Sequence, residues 1–267
     1  MYNSEIETAK EFLQALHEHG GFYTSLDPKG KRVGPMVGYA GTYENNDGAK
    51  KQYIGDIYAN CSKLEKIPAN LNYFLRRTYW QIEDTIYSSG MTEVLSSQSK
   101  NRIVLLGAPM GGITTAALLS LDLFPGKTEF GFLEKKVIAL ASQNSREKSE
   151  LIFGRHEIFP GDLVIPVEDV CNNFSTTRQM LTLIAKKGGR VLCIFCLVNR
   201  SGKKSYTFES EEFGKKEIPI VSIVLANWPE YKQDDPEIKD YITVPENLIL
   251  NPKHNWDKLM SDMANRK

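Results

Sequence analysis

The spacing of apolar residues changes along the chain, and the change marks out its elements. Ser4 followed by Glu7 makes a capping box, and Ile6, Ala9, Phe12, Leu13 and Leu16 keep helical spacing until Gly20 and Gly21. Residues 22–51 are rich in Gly, Asp, Asn and Lys with few apolar repeats, which predicts turns and an exposed hairpin. The segment YIGDIYANC predicts a strand. Pro68 opens a second helix in which Leu71, Phe74, Leu75, Ile82 and Ile86 share a face, closing near Gly90.

From there the pattern becomes short apolar strands alternating with helices. RIVLLG (102–107) predicts a strand and GGITTAALLSLD a helix; KKVIALA and DLVIPVED (162–169) predict two more strands. STTRQMLTLIAKKGG predicts a helix ended by Gly188 and Gly189, RVLCIFCLV the next strand, and IPIVSIVLA another before a C-terminal helix containing WDKLMSDM. This alternation predicts an α/β fold with a mainly parallel sheet flanked by helices. Pro166 argues against a central strand, because proline cannot donate to the ladder. No internal repeat or low-complexity segment interrupts the order.

Composition adds mainly exclusions. With 267 residues and 41% apolar content the chain can bury a sizeable core. Lys plus Arg and Asp plus Glu are both 33, so no net field gathers nucleic acid or an anionic membrane, and any anion site must be local. No run approaches the ~20 apolar residues of a bilayer span, and MYNSEIETAKEFLQ lacks the segments of a signal peptide, so the expected location is the cytoplasm. Cys61, Cys171, Cys193 and Cys196 are too scattered for a disulfide framework, and the CxxC of Cys193 and Cys196 falls inside an apolar strand, which predicts core packing. His17, His19 and His254 have no metal or nucleophile spacing, no GxSxG elbow occurs, and Asp234 and Asp235 read as a solvated turn.

Two loops after predicted strands carry candidate chemistry, since open α/β sheets bind ligands beyond the carboxyl ends of their strands. GAPMGGITT puts Gly107, Gly111 and Gly112 where a backbone can approach an anion, and CNNFSTT offers backbone N–H groups and the hydroxyls of Ser175, Thr176 and Thr177 at a helix start. Neither loop is GxxxxGK[ST] or GxGxxG. Glu168 and Asp169 end the preceding strand. A phosphate on the helix start would bring an attached ribose over these acids; alternatively the acids solvate a strand end and the hydroxyls only cap a helix.

VIPVEDVCNNFSTT resembles the phosphoribosyl pyrophosphate motif of type I phosphoribosyltransferases, and GAPMGGITTA resembles their pyrophosphate loop. The order of features from about residue 48 to 202 is similar to that of orotate phosphoribosyltransferase. The resemblance implies an N-terminal hood (1–95), a phosphoribosyltransferase core (96–202) and a C-terminal strand and helix completing the same domain (203–267). It implies ribose binding by Glu168 and Asp169, and a 5′-phosphate wrapped by Cys171, Asn172, Asn173, Phe174, Ser175, Thr176 and Thr177. Met110, Gly111 and Gly112 would meet pyrophosphate with Mg²⁺, held mainly by the substrate, and Arg146 and Lys148 would close over the diphosphate. Arg200, with Lys50 and Tyr58, would bind the base, and the chain would form a homodimer.

The chain departs from the family pattern at three places. Asn173 and Phe174 stand where the phosphate loop has Thr and Gly, and phenylalanine does not freely take glycine's backbone angles. The basic loop lacks the fuller Arg-Lys-x-x-Lys-x-His pattern, and Asn199 replaces an Asp. Two functions therefore stand side by side: transfer of ribose 5-phosphate from phosphoribosyl pyrophosphate to a base, orotate first, or a non-catalytic regulatory protein that binds phosphoribosyl pyrophosphate or a nucleotide.

Overall fold

The structure, a computed structural model, describes residues 2–91, 101–139 and 148–266. In chain order it begins with α1 (Tyr2–Glu18), β1 (Phe22–Thr24), β2 (Met36–Glu44), β3 (Lys50–Gly55) and β4 (Ile57–Ala59). Three helices follow, α2 (Ser62–Glu65), α3 (Pro68–Arg76) and α4 (Tyr79–Ser88). Next come β5 (Ile103–Gly107), α5 (Gly111–Asp122), β6 (Thr128–Phe132), β7 (Glu134–Ala139), β8 (Lys148–Ile152) and β9 (Leu163–Cys171). Then follow α6 (Ser175–Lys186), β10 (Arg190–Val191), β11 (Ile194–Asn199), β12 (Ser205–Ser210) and β13 (Gly214–Leu225). The chain ends with α7 (Pro236–Ile242), β14 (Leu248–Ile249) and α8 (Trp256–Ala264). None of the described helices is long and apolar enough to cross a membrane.

The chain divides into two compact units, Met1–Phe12 with Glu65–Leu225, and Leu13–Leu64 with Ala226–Lys267. These limits differ from the expected 1–95, 96–202 and 203–267: β12 and β13 stay with the first unit, and the last 42 residues belong with residues 13–64.

The first unit is built on a sheet of order β12-β13-β11-β9-β5-β6, with β10 also paired to β9. All of its pairs are parallel except β12 with β13. Val104, Leu106 and Val164 pack with Met180 and Ile184 of α6, while Ile103, Leu105 and Ile165 alternate to the other face and are equally buried. Burial on both faces is why RIVLLG and DLVIP read as unbroken apolar runs. The parallel α/β expectation therefore holds.

Several local expectations change. Residues 68–90 form two helices, because the chain turns at Arg77 and Thr78, where the Thr78 hydroxyl donates to Leu75 O at 2.7 Å. The described part of KKVIALA, up to Ala139, lies outside the sheet: β7 pairs antiparallel with β8 in a separate ribbon, leaving Val137 and Ile138 exposed. The sheet's edge is instead β6, in TEFGF, where no strand was predicted. RVLCIFCLV is broken into β10 and β11. That break explains Pro166 in a central strand. Leu163 pairs with Arg190 but Val167 with Phe195, so one extra residue bulges opposite Ile165 and Pro166. Pro166 lies two residues from Val164, whose carbonyl accepts from Leu192 N, so its missing donor faces the bulge rather than a ladder position.

The second unit carries the antiparallel β2–β3 hairpin, with β14 parallel to β2 and β1 paired to β4. Only part of this hairpin is exposed: Met36 to Tyr39 are buried, and Val37 and Tyr39 pack with Tyr23, Ile249, Trp256 and Leu259 of α8. YIGDIYANC breaks at Asp56 into β3 and β4. Asp56 is buried and held by both Arg32 Nε (2.7 Å) and Arg32 Nη2 (2.8 Å), with the Ser25 hydroxyl also donating to it. The Asp234 turn is tied down: Lys51 Nζ reaches Asp234 at 2.6 Å and the Tyr43 hydroxyl donates to it at 2.8 Å.

Candidate functional site

From β5 the chain crosses to β6 on one side, and β9 then adds on the other side of β5, so the parallel order reverses between β5 and β9. The crevice beyond the carboxyl ends at such a reversal is where open α/β sheets hold ligands. Here it brings together the two loops singled out in the sequence. Gly107 pairs with Val167, and Ala108 N donates to Val167 O at 2.8 Å, so the Ala108–Gly112 turn runs beside Glu168 and Asp169.

The glycines of this turn are required by its approach to β9. A Cβ on Gly111 would collide with the Asp169 carboxyl, and one on Gly112 with the Val167 carbonyl; one on Gly107 would come within 2.8 Å of Gly112 O. Met110 is 80% exposed and caps the start of α5, and the Pro109–Met110 peptide is cis.

The acids have unequal surroundings. Glu168 is buried and hydrogen-bonded to the side chain of Thr176, in the first turn of α6. Burial, and then the neighbouring Asp169, push its carboxyl up to about 8, against the opposing pull of Thr176, of Lys135 and of the Asp169 N–H. Asp169 is half-buried, lies against Gly111, and accepts from Val170 N at 2.9 Å.

The loop after the acids keeps the shape that a glycine there would favour. Phe174 adopts left-handed angles (φ 58°, ψ 22°) at the start of α6. Its ring is turned into the core, 5% exposed, with its centroid 4.8 Å from that of Tyr206 and with Phe208 and Ile218 in the same cluster. The ring therefore does not fill the turn. Asn173 Oδ1 accepts from Ser175 N at 3.1 Å, and Thr177 Oγ1 lies 3.8 Å from Cys171 Sγ. Asn172 is half-buried, and Asn173 and Ser175 are exposed.

Arg200 follows β11 at the same end of the sheet: its N–H donates to Cys171 O at 2.8 Å, and the residue is buried. Asn199 shapes the next turn, donating to Lys203 O at 2.7 Å and accepting from Ser201 N and Oγ. Cys193 and Cys196 are fully buried, and burial pushes the Cys193 thiol up to about 12 and Cys196 well above its usual value, as suits core residues.

The first unit thus gathers Met110, Gly111, Gly112, Glu168, Asp169, residues 171–177 and Arg200 at one end of the sheet. Lys50 and Tyr58 fold in the second unit; Lys50 is exposed at the start of β3, and the Tyr58 ring packs on Trp256 at 5.8 Å. Lys148 begins β8, and Arg146 lies outside the described residues. Two contributions went unread in the sequence: Lys135 of β7 favours the charged form of Glu168, and the Thr176 side chain hydrogen-bonds Glu168. Two consecutive lysines at the start of a predicted strand were the available signal for the first.

Among known proteins, the chain is 27% identical over 125 residues to orotate phosphoribosyltransferase of Carboxydothermus hydrogenoformans, a match covering 47% of this chain and 56% of that protein. The chain thus spans about half the length of the curated relative it matches. No family model matches it. Solved structures similar to it include orotate phosphoribosyltransferase from Aeropyrum pernix (15% identity, TM-score 0.40, 79% of this chain and 91% of that one). Another is the UMP synthase of Leishmania donovani (15% identity, TM-score 0.45, 96% of this chain and 41% of that one). The sequence relative is of the kind that the motif order resembles.

Proposed function

We propose that the chain is a phosphoribosyltransferase that moves ribose 5-phosphate from phosphoribosyl pyrophosphate to a ring nitrogen of a base, orotate in the first instance, with release of pyrophosphate. The observation that carries this reading is the packing of Asp169 on Gly111 at the β5–β9 reversal, which sets the acid pair beside the glycine turn and the start of α6. A sugar bearing a phosphate at one end and a diphosphate at the other would use an acid pair, a glycine turn and a helix start set side by side.

In this mechanism the base nitrogen forms a bond to the anomeric carbon as the bond to the diphosphate oxygen breaks, and the electron pair leaves with pyrophosphate. The transition state has oxocarbenium character, and catalysis comes from alignment and charge stabilisation rather than covalent chemistry. Glu168 and Asp169 hold the ribose hydroxyls, residues 171–177 hold the 5′-phosphate, and the backbone at Met110, Gly111 and Gly112 faces the diphosphate. Arg146 and Lys148 offset its growing charge. Arg200 offers the fork that a carboxylated base accepts.

Mg²⁺, held mainly by the diphosphate oxygens of the substrate, would neutralise charge at the leaving group. We further propose a homodimer.

The test is release of pyrophosphate from phosphoribosyl pyrophosphate and Mg²⁺ with a panel of bases. Orotate-dependent release supports the reading; release only with a purine moves the acceptor and keeps the chemistry. The second reading, a non-catalytic binding protein, is favoured by one observation: Asn173 already occupies the Ser175 N–H that a phosphate would use. Binding of phosphoribosyl pyrophosphate without release for any base would select it.

A further inference from the structure

The two acids at the end of β9 are chemically unequal, and a sugar phosphate must approach them with a charge of the same sign. Glu168 is 8% exposed, with Asp169 next to it on β9. Three other groups face it: Thr176 on α6, through a hydrogen bond; Lys135 on β7; and the buried thiol of Cys196 on β11, which pairs with Glu168 in the sheet and feels its charge. The Ala108–Gly112 turn of the β5 loop adds no charged side chain. Two adjacent carboxylates, one of them shut off from water, resist being ionised together when an anionic ligand arrives.

We propose that the pair captures its ligand while carrying one proton, on Glu168, so that Glu168 donates a hydrogen bond to one ribose hydroxyl while Asp169 accepts from the other. This rests on the sugar-phosphate reading of the same site. It assigns Glu168 a donor's role and makes binding depend on a proton. A carboxylic acid donates as well as accepts, whereas a carboxylate only accepts. Keeping Glu168 neutral also spares the 5′-phosphate, seated one loop away, a second like charge.

The sign follows from the direction of the shift. The carboxyl is pushed up to about 8, so the competent, protonated form predominates at neutral pH and is lost as pH rises through that value. If only this form binds, affinity falls roughly 25-fold between pH 7.5 and 9.5. In the same window the ligand's own phosphate, which loses its second proton near pH ~6, stays dianionic.

The experiment titrates ribose 5-phosphate into the full chain by calorimetry from pH 7.5 to 9.5, in two buffers of different ionisation heat. The wild type is expected to weaken across the window and to take up roughly three-quarters of a proton per ligand at pH 8.5. Glu168→Gln, a permanent donor of the same shape, is expected to bind at pH 7.5 and to hold its affinity to pH 9.5. The thiol and Lys135 remain in this variant, so it isolates Glu168. A flat wild-type profile overturns the proposal and leaves the sugar-phosphate reading standing. Parallel weakening of Glu168→Gln assigns the proton elsewhere and also overturns it, as does a cooperatively folded Glu168→Gln that fails to bind at pH 7.5. Absence of wild-type binding at every pH removes the sugar-phosphate reading, and this inference with it.

Discussion

Phe174 holds a backbone conformation that costs a residue with a Cβ about 1–2 kcal/mol, and its ring is buried against Tyr206. Two substitutions separate these effects. Phe174→Ala removes the ring and keeps the strain, so it loses the burial and contact energy of a core phenylalanine, about 3–5 kcal/mol. Phe174→Gly loses the same ring but no longer pays for the left-handed angles. The gain of about 1–2 kcal/mol is offset by the ~0.5–1 kcal/mol of extra unfolded-state entropy that glycine brings. Glycine should therefore be the more stable variant by roughly 0.5–1 kcal/mol, with both well below the wild type. Urea unfolding measures this as a shift of midpoint at constant slope. Because the ring lies in the core, neither truncation opens space in the turn before α6, and on the proposed function folded Phe174→Gly should bind ribose 5-phosphate as the wild type does. An alanine variant as stable as glycine or more so would refute the left-handed turn. A large gain of affinity in the glycine variant would refute the placement of the ring.

Stability should also report on Glu168. Its folded value is raised above the ordinary carboxyl range, so its stabilising contribution is complete below about pH 4.5 and is lost as pH rises through about 8. The difference in unfolding free energy between wild type and Glu168→Gln should fall over that window by up to about 5 kcal/mol; a difference independent of pH would contradict the burial. Gly112→Ala should destabilise more than Gly111→Ala in the same urea assay. Its Cβ meets the Val167 backbone, whereas at Gly111 the Asp169 side chain can swing away; each costs about 1–3 kcal/mol, and the reverse order would refute the packing of this turn. On the proposed function, Gly111→Ala should nevertheless lose ribose 5-phosphate affinity by about tenfold or more, because the acid it displaces is the one assigned there to accept from the sugar. In the second unit, Arg32→Met strands the buried Asp56 charge and should cost about 3 kcal/mol in thermal or urea unfolding, whereas Lys51→Met at the exposed Asp234 pair should cost about 1 kcal/mol or less.

How far the sequence could be read depended on whether a residue's role was set locally or by a distant neighbour. The strands β5 and β9 and the helices α5, α6 and α8 were visible, because two-faced burial writes an unbroken apolar run and one-faced burial writes a helical stripe. The break at Thr78 was hidden: Leu71, Phe74 and Leu75 before it and Ile82 and Ile86 after it are all buried at helical spacing, with no Gly or Pro between. β6 was hidden too, as five residues that include Gly131 carry too little pattern to stand out. KKVIALA shows the converse, a strand-like segment whose partner is its own neighbour β8 and not the sheet. No linear pattern signals that residues 226–267 return to pack with residues 13–64.

The site divides along the same line. Its loops were legible because glycine, paired acids and hydroxyls at a helix start are each a local device, and the strand order then determines that they meet. What each group does there was not legible. A glycine in such a turn reads the same whether it clears room for a ligand or, as at Gly111 and Gly112, for a carboxylate and a carbonyl of the chain itself. Phe174 reads as a break in the phosphate loop until Tyr206, 32 residues on, supplies the surface that its ring covers. Glu168 and Asp169 read as a matched pair, yet only one has Thr176 above it and the core around it. In the proposal above that asymmetry separates a donor from an acceptor, and because it arises from packing, titrating Glu168 is what tests it.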